Sequence, residues 1–271
     1  MWTGVVNLIL AATAILGVQI RNLRVPQSVK NGSRSALLDC DYTLKPEELA
    51  ADSYLGLVVK WYFNSSPSPV YQWIPGQKPQ DLGILKGKLD LKHRSSDHGA
   101  TMYRALYIRN PTTELSGEYK CLVSTFDDED FMTKKMVVFV PETSLDMTQT
   151  KPNINSVKIL CIARGVYPEP KMALLLGNKT KTRMDDVQVE TVSQQRSYDI
   201  VATKVVQDSD LETPTVFACE LRIPDTQYAV SKSVIYYPGL PLPTNYSETT
   251  HSHTWIMITL SLIIFTYRRT R

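Results

Sequence analysis

The sequence has little of what marks most enzymes and nucleic-acid binders. Its formal net charge is only +3 over 271 residues, and no basic stripe runs through it, which removes the electrostatic footprint of a nucleic-acid-binding chain. Histidine is scarce: His93, His98, His251 and His253 are the only ones, and the last two form "HSH", far short of a four-ligand zinc site. There is no glycine-rich phosphate loop and no nucleophile elbow. Long 3.6-period apolar patterning is missing too; only "KPEELAADSYLG" could form a turn or two of helix. These absences lead us to expect no cofactor, no metal site and no catalysis.

What is present is an ordinary core-forming composition, 43% hydrophobic and 21% charged, long enough for two domains of about 100 residues each. Short runs rich in β-branched and aromatic residues recur between Pro, Gly, Asn, Ser and Asp. They are "SALLDCDY", "LVVKWYF", "PVYQWI", "YRALYI", "EYKCLVSTF" and "MVVFV", then "VKILCIA", "KMALLL", "SYDIVATKVV", "TVFACELRI" and "SVIYYP". The pattern predicts an all-β chain in two sandwiches.

The ends differ from the middle. An apolar stretch from Val5 to Val18, followed by "QIRNLR", reads as a secretory signal over residues 1–18, cleaved near Gly17 to Gln19; the alternative is a buried N-terminal helix. At the other end an apolar run from Trp255 to Tyr267 precedes Arg268, Arg269 and Arg271. It spans roughly 20 Å as a helix, short of a ~30 Å hydrocarbon core unless the arginines snorkel. Residues 254–271 are therefore expected to attach the chain to a membrane, either as a single pass or as a lipid-anchor signal. Residues 238–253, "PGLPLPTNYSETTHSH", read as an extended stalk.

Secretion makes the remaining motifs informative. The Asn-x-Ser/Thr triplets at Asn31, Asn64, Asn178 and Asn245 are candidate glycosylation sites, while Asn110 is excluded by Pro111. Four cysteines allow three connectivities. Cys40 to Cys121 spans 81 positions and Cys161 to Cys219 spans 58, two similar intervals in series that favour one bridge per sandwich.

Around Cys121 the chain reads "LSGEYKC". Tyr119, two residues before the cysteine and just after the turn at Gly117, holds the tyrosine-corner position of immunoglobulin-type domains. With "VKWY" and Cys40 this resembles a V-type immunoglobulin domain over residues 19–141, although Ser116 stands where aspartate is commoner. Residues 142–237, with "CIARGVYPEPKMALLL", resemble a constant-like domain in which Leu174 takes the usual tryptophan position and Phe217 that of the corner tyrosine. The boundary falls at "VPETSLD", residues 140 to 146. More narrowly, "IRNLRVPQSVKNGSRSALLDCDY", "VKWYF" and "VYQWIPGQKP" resemble the insect beaten path family of axon-guidance receptors, apart from a longer stretch between Cys40 and Trp61. That resemblance implies neuronal recognition of an immunoglobulin-superfamily surface protein of the sidestep type.

Alternation along "VVKWYF" places Trp61 on the core side, packed on the Cys40–Cys121 bridge, and Tyr62 on the other. Tyr71 and Trp73 form an aromatic pair on one side of the next strand. With Tyr62 they are candidate anchors for a partner; the alternative makes Trp73 a rim residue covering the core. The acidic run "FDDEDF", residues 126 to 131, places Asp127, Asp128, Glu129 and Asp130 in the loop after the strand of Cys121, either as a solvated turn or as an electrostatic contact. Heterophilic recognition through the front sheet is the leading functional expectation. Homophilic adhesion with a homodimer, an immune or pathogen-binding module, and a structural matrix role are the alternatives.

Overall fold

A computed structural model of the chain describes residues 17–45, 54, 56–178 and 180–242. The leader up to residue 16, most of the expected helical turn between Cys40 and Trp61, Asn245, "HSH" and the segment 254–271 lie outside the described residues. Two β-sandwiches follow one another, and residues 239–271 form a separate unit of which 239–242 are described.

The first sandwich contains β1 (Gln19–Arg24), β2 (Ser28–Lys30), β3 (Ser35–Thr43), β4 (Val58–Phe63), β5 (Tyr71–Trp73), β6 (Gln80–Asp81), β7 (Leu106–Arg109), β8 (Gly117–Ser124) and β9 (Glu129–Phe139). One sheet has the order β1-β3-β7, the other β2-β9-β8-β4-β5-β6. Apolar alternation drives this layering. Val59, Trp61 and Phe63 face inward from β4, and Tyr119, Cys121 and Val123 from β8. Two extra strands beyond β4, and a short β2 running parallel to β9, make it a V-type sandwich.

Residues 86–105 replace a regular strand on the edge of the smaller sheet, and inward aromatic side chains hold their backbone. Tyr42 donates to the Ala100 carbonyl, Tyr71 to that of Tyr103 at 2.6 Å, and the Trp61 indole to that of Arg104 at 3.1 Å. On the outer side Arg104 clamps Asp39 with its Nε at 2.9 Å and a terminal nitrogen at 3.2 Å, and also reaches Asp41. Arg24 completes the shield over Asp39, whose side chain is otherwise buried. A buried carboxylate needs such pairing, because without the two arginines it would be left desolvated and alone.

The second sandwich contains β10 (Ser144–Asn153), β11 (Ser156–Val166), β12 (Lys171–Leu176), β13 (Thr182–Arg183), β14 (Gln188–Ser193), β15 (Tyr198–Gln207), β16 (Thr215–Arg222) and β17 (Ala229–Tyr236). Its sheets run β10-β11-β15-β14 and β13-β12-β16-β17, a constant-type arrangement with one two-residue strand added. Bridges join Cys40 to Cys121 and Cys161 to Cys219, and no free cysteine remains. Leu174 lies opposite Cys219, and both Leu174 and Phe217 are buried. Where the expected tyrosine corner is missing, Tyr236 on β17 packs on Phe217 and donates to Asp208 at 2.7 Å.

The two sandwiches meet at a junction. Val140 and Tyr167 exchange backbone hydrogen bonds at 2.8 and 3.0 Å, Phe139 packs on Tyr228, and Lys135 pairs with Asp225 at 2.7 Å. Among the described residues no helix is long and apolar enough to cross a membrane.

Candidate functional site

The outer face of the six-stranded sheet carries the site. Tyr62, Lys120 and Thr133 are cross-strand neighbours on it, as are Lys60, Leu122 and Phe131, with Gln72 beside Lys60. Their parity follows from the inner face: because Trp61 and Cys121 point into the core, the residues next to them point out. The Lys120 ammonium lies 4.7 Å from the centre of the Tyr62 ring and 5.4 Å from that of Phe131, a cation held between two aromatic faces. Such a contact at an exposed site contributes ~0.5–1 kcal/mol, which biases the Lys120 head towards the space between the two rings. Phe131 is 58% exposed, an apolar ring in water with a rigid strand beneath it.

The other aromatic anchors expected on this face are not there. Tyr71 and Trp73 are each 2% exposed. The register explains the difference: Tyr71 lies directly opposite Trp61, and Trp73 opposite Val59, so both share the inward face of β4. Trp73 meets Tyr103 edge-on at 5.8 Å, and its indole N–H has no acceptor among the described residues. Burial, followed by neighbouring Tyr42 and Tyr103, pushes the Tyr71 phenol far above its ordinary pKa, so it stays a neutral donor. Trp61 is fully buried and Tyr119 donates to the Leu115 carbonyl at 2.8 Å, the corner bond its position implies.

The acidic run divides in two. Phe126 to Asp128 form the turn, and the Asp128 carbonyl accepts from the Thr125 N–H at 2.8 Å. Glu129 and Asp130 already belong to β9. Asp130 is not a free surface charge, since its carboxylate accepts from the backbone N–H of Ile20 at 2.7 Å and ties β1 to the rim of the other sheet. Asp127, Asp128 and Glu129 are exposed at the end of the face farther from the second sandwich.

The triplet asparagines sit elsewhere. Asn31 is exposed beside the end of β9, its N–H bonded to the Phe139 carbonyl at 2.8 Å. Asn64 follows β4 at φ 48°, and its side-chain oxygen accepts from the Glu118 N–H at 2.9 Å. Gly117 permits that approach, because a Cβ there would stand 2.3 Å from the Asn64 oxygen. Both positions therefore lie at the end nearer the second sandwich and leave the distal face open. Asn178 is exposed but doubly engaged, donating to the Pro214 carbonyl at 2.6 Å and accepting from Val216 at 3.0 Å.

Among the described residues no group of three or more His, Cys, Asp or Glu gathers to hold a metal. Lys120, Leu122 and Phe131 are absent from the sequence-based expectation. Their signal was parity relative to Tyr119 and Cys121, which gives Lys120 and Leu122 outright, while Phe131 needs the β8–β9 register.

No protein-family model and no curated protein matches the chain. Among solved structures, bovine butyrophilin superposes with a TM-score of 0.61 at 17% sequence identity, covering 83% of this chain and 99% of that one. The likeness is one of fold. It extends across both sandwiches, and with the two bridges and the strand orders it gives a tandem of immunoglobulin-like domains, V-type then constant-like.

Proposed function

We propose that the chain is an extracellular recognition protein that binds another protein through the outer face of its six-stranded sheet, without catalysis. The observation that carries this reading is the Tyr62–Lys120–Phe131 stack, an ordered aromatic and cationic surface that the fold itself does not require. Aromatic residues make effective anchors because they bury large areas at small entropic cost. The acidic turn at one end adds a charge pattern that sets association rate and selectivity. The first-sandwich resemblance to the beaten path family supports an immunoglobulin-superfamily partner of the sidestep type and a role in neuronal recognition. The two disulfides support an oxidising, extracellular setting; glycans at the triplets and a membrane-attached C-terminal segment complete the proposal.

Screening the purified full chain against a panel of extracellular immunoglobulin-superfamily proteins, itself included, tests this reading. A single heterologous partner is expected. Self-binding alone would replace heterophilic recognition with homophilic adhesion through a homodimer, and binding to microbial surfaces alone would replace it with an immune module.

A further inference from the structure

A cavity of about 590 Å³ opens beside the turn that follows β5, at the distal end of the same sheet. Its size falls within the range of pockets that hold a ligand or an anchoring side-chain group. Trp73, Leu91, Met102 and Tyr103 form apolar walls, and Lys78 and Lys92 stand at its margin. Among the described residues neither lysine makes an ion pair and no acidic residue lines the cavity. The Trp73 ring belongs to the same wall, and its indole N–H is buried without an acceptor among the described residues. None of the triplet asparagines within the described residues lines the cavity.

We infer that this cavity is a second contact for the protein partner and takes a segment presenting an apolar side chain beside an acidic one. The inference rests on the recognition reading above. The walls exclude a purely polar occupant, because covering Leu91, Met102 and the rings with polar groups would strand unpaired donors and acceptors. Two cations at the margin, unpaired among the described residues, select negative charge and disfavour a basic segment. The occupant is taken as part of a partner rather than a free metabolite because the cavity opens at the turn after β5, a strand of the recognition sheet, and Lys78 and Lys92 remain in solvent.

Two arms test it on the full chain. In the first, phenylbutyrate is the probe and phenylbutanol its uncharged control, followed through the Met102 methyl resonance assigned with Met102→Leu. The acid should shift the resonance and bind at least tenfold more tightly than the alcohol, and Lys78→Gln with Lys92→Gln should abolish that preference. No shift, or equal affinity for acid and alcohol, overturns the inference. In the second arm the partner from the panel is titrated against Met102→Trp, which fills the cavity from its wall, and separately against Phe131→Ala. At least a tenfold loss with Met102→Trp is expected. Loss with Phe131→Ala but none with Met102→Trp leaves the face and removes the cavity. The converse leaves the cavity and removes the face.

Discussion

At the scale of single residues, the two tryptophans of β4 and β5 have the same duty and different dependencies. Trp61 is fully buried, packs on the bridge and spends its indole proton on the Arg104 carbonyl. Trp73 is almost as buried but finds no acceptor for its proton among the described residues. Replacing either with alanine should open a large cavity and cost about 3–5 kcal/mol. Chemical denaturation checks this, and a Trp73→Ala protein that unfolds at the wild-type midpoint would contradict the core assignment. Trp73→Phe separates the terms: it keeps most of the ring and removes the unpaired donor, so it should cost about 2 kcal/mol less than Trp73→Ala. Alternation alone identified Trp61 in the sequence. It could not do so for Trp73, because the face of a three-residue strand depends on which residue of β4 it opposes, and that is a register fact.

At the scale of elements, the legible strands were those with apolar alternation. β3, β4, β7 and β8 stand out because one face is buried along their whole length. β14, "QVETVS", is exposed at every position, so its sequence carries no inward face to detect. β10 does not stand out either, since of its ten residues only Met147 is buried. The acidic run was read wholly as loop because charge masks the start of β9, where Asp130 serves as an acceptor for β1.

Element ends also carry a pH dependence. Glu114, in the short turn before β8, is held at about 2 from its ordinary 4.5, first by the Thr112 hydroxyl, then by its own backbone N–H and by Lys88. A lowered carboxyl pKa means that folding favours the ionised form. The stabilisation is complete above the ordinary value and fades as pH falls through the folded one. Thermal unfolding of the wild type and Glu114→Gln should therefore differ most near about pH 6 and converge towards about pH 2. A difference that stays constant over that range would show that the carboxylate contributes nothing.

At the scale of the whole molecule, the junction turns two sandwiches into one unit. Tyr228 sits on Phe139 and donates to both Glu142 oxygens, at 2.9 and 3.0 Å. Burial first, then Glu142, pushes the phenol up to about 12. Its neutral form is the bonded one, so this contribution is present below the ordinary tyrosine range and lost as pH rises through the folded value. Tyr228→Phe should destabilise the chain by about 1 kcal/mol at neutral pH in equilibrium unfolding, since the bond is only partly buried. An unchanged midpoint would mean that the Tyr228 hydroxyl adds nothing to the other junction contacts. Tandem sandwiches and both bridges could be read from cysteine spacing and strand runs. The junction could not, because it joins Glu142 to Tyr228 across most of the second sandwich in sequence.

The central claim is that the outer face of the six-stranded sheet binds the partner. It is tested most directly by measuring partner affinity for Phe131→Ala beside Leu37→Ala, an exposed apolar residue on the opposite sheet. The account predicts at least a tenfold loss for Phe131→Ala, about 1.4 kcal/mol, and wild-type affinity for Leu37→Ala. Wild-type affinity for Phe131→Ala with a loss at Leu37→Ala would place recognition on the other sheet and contradict it.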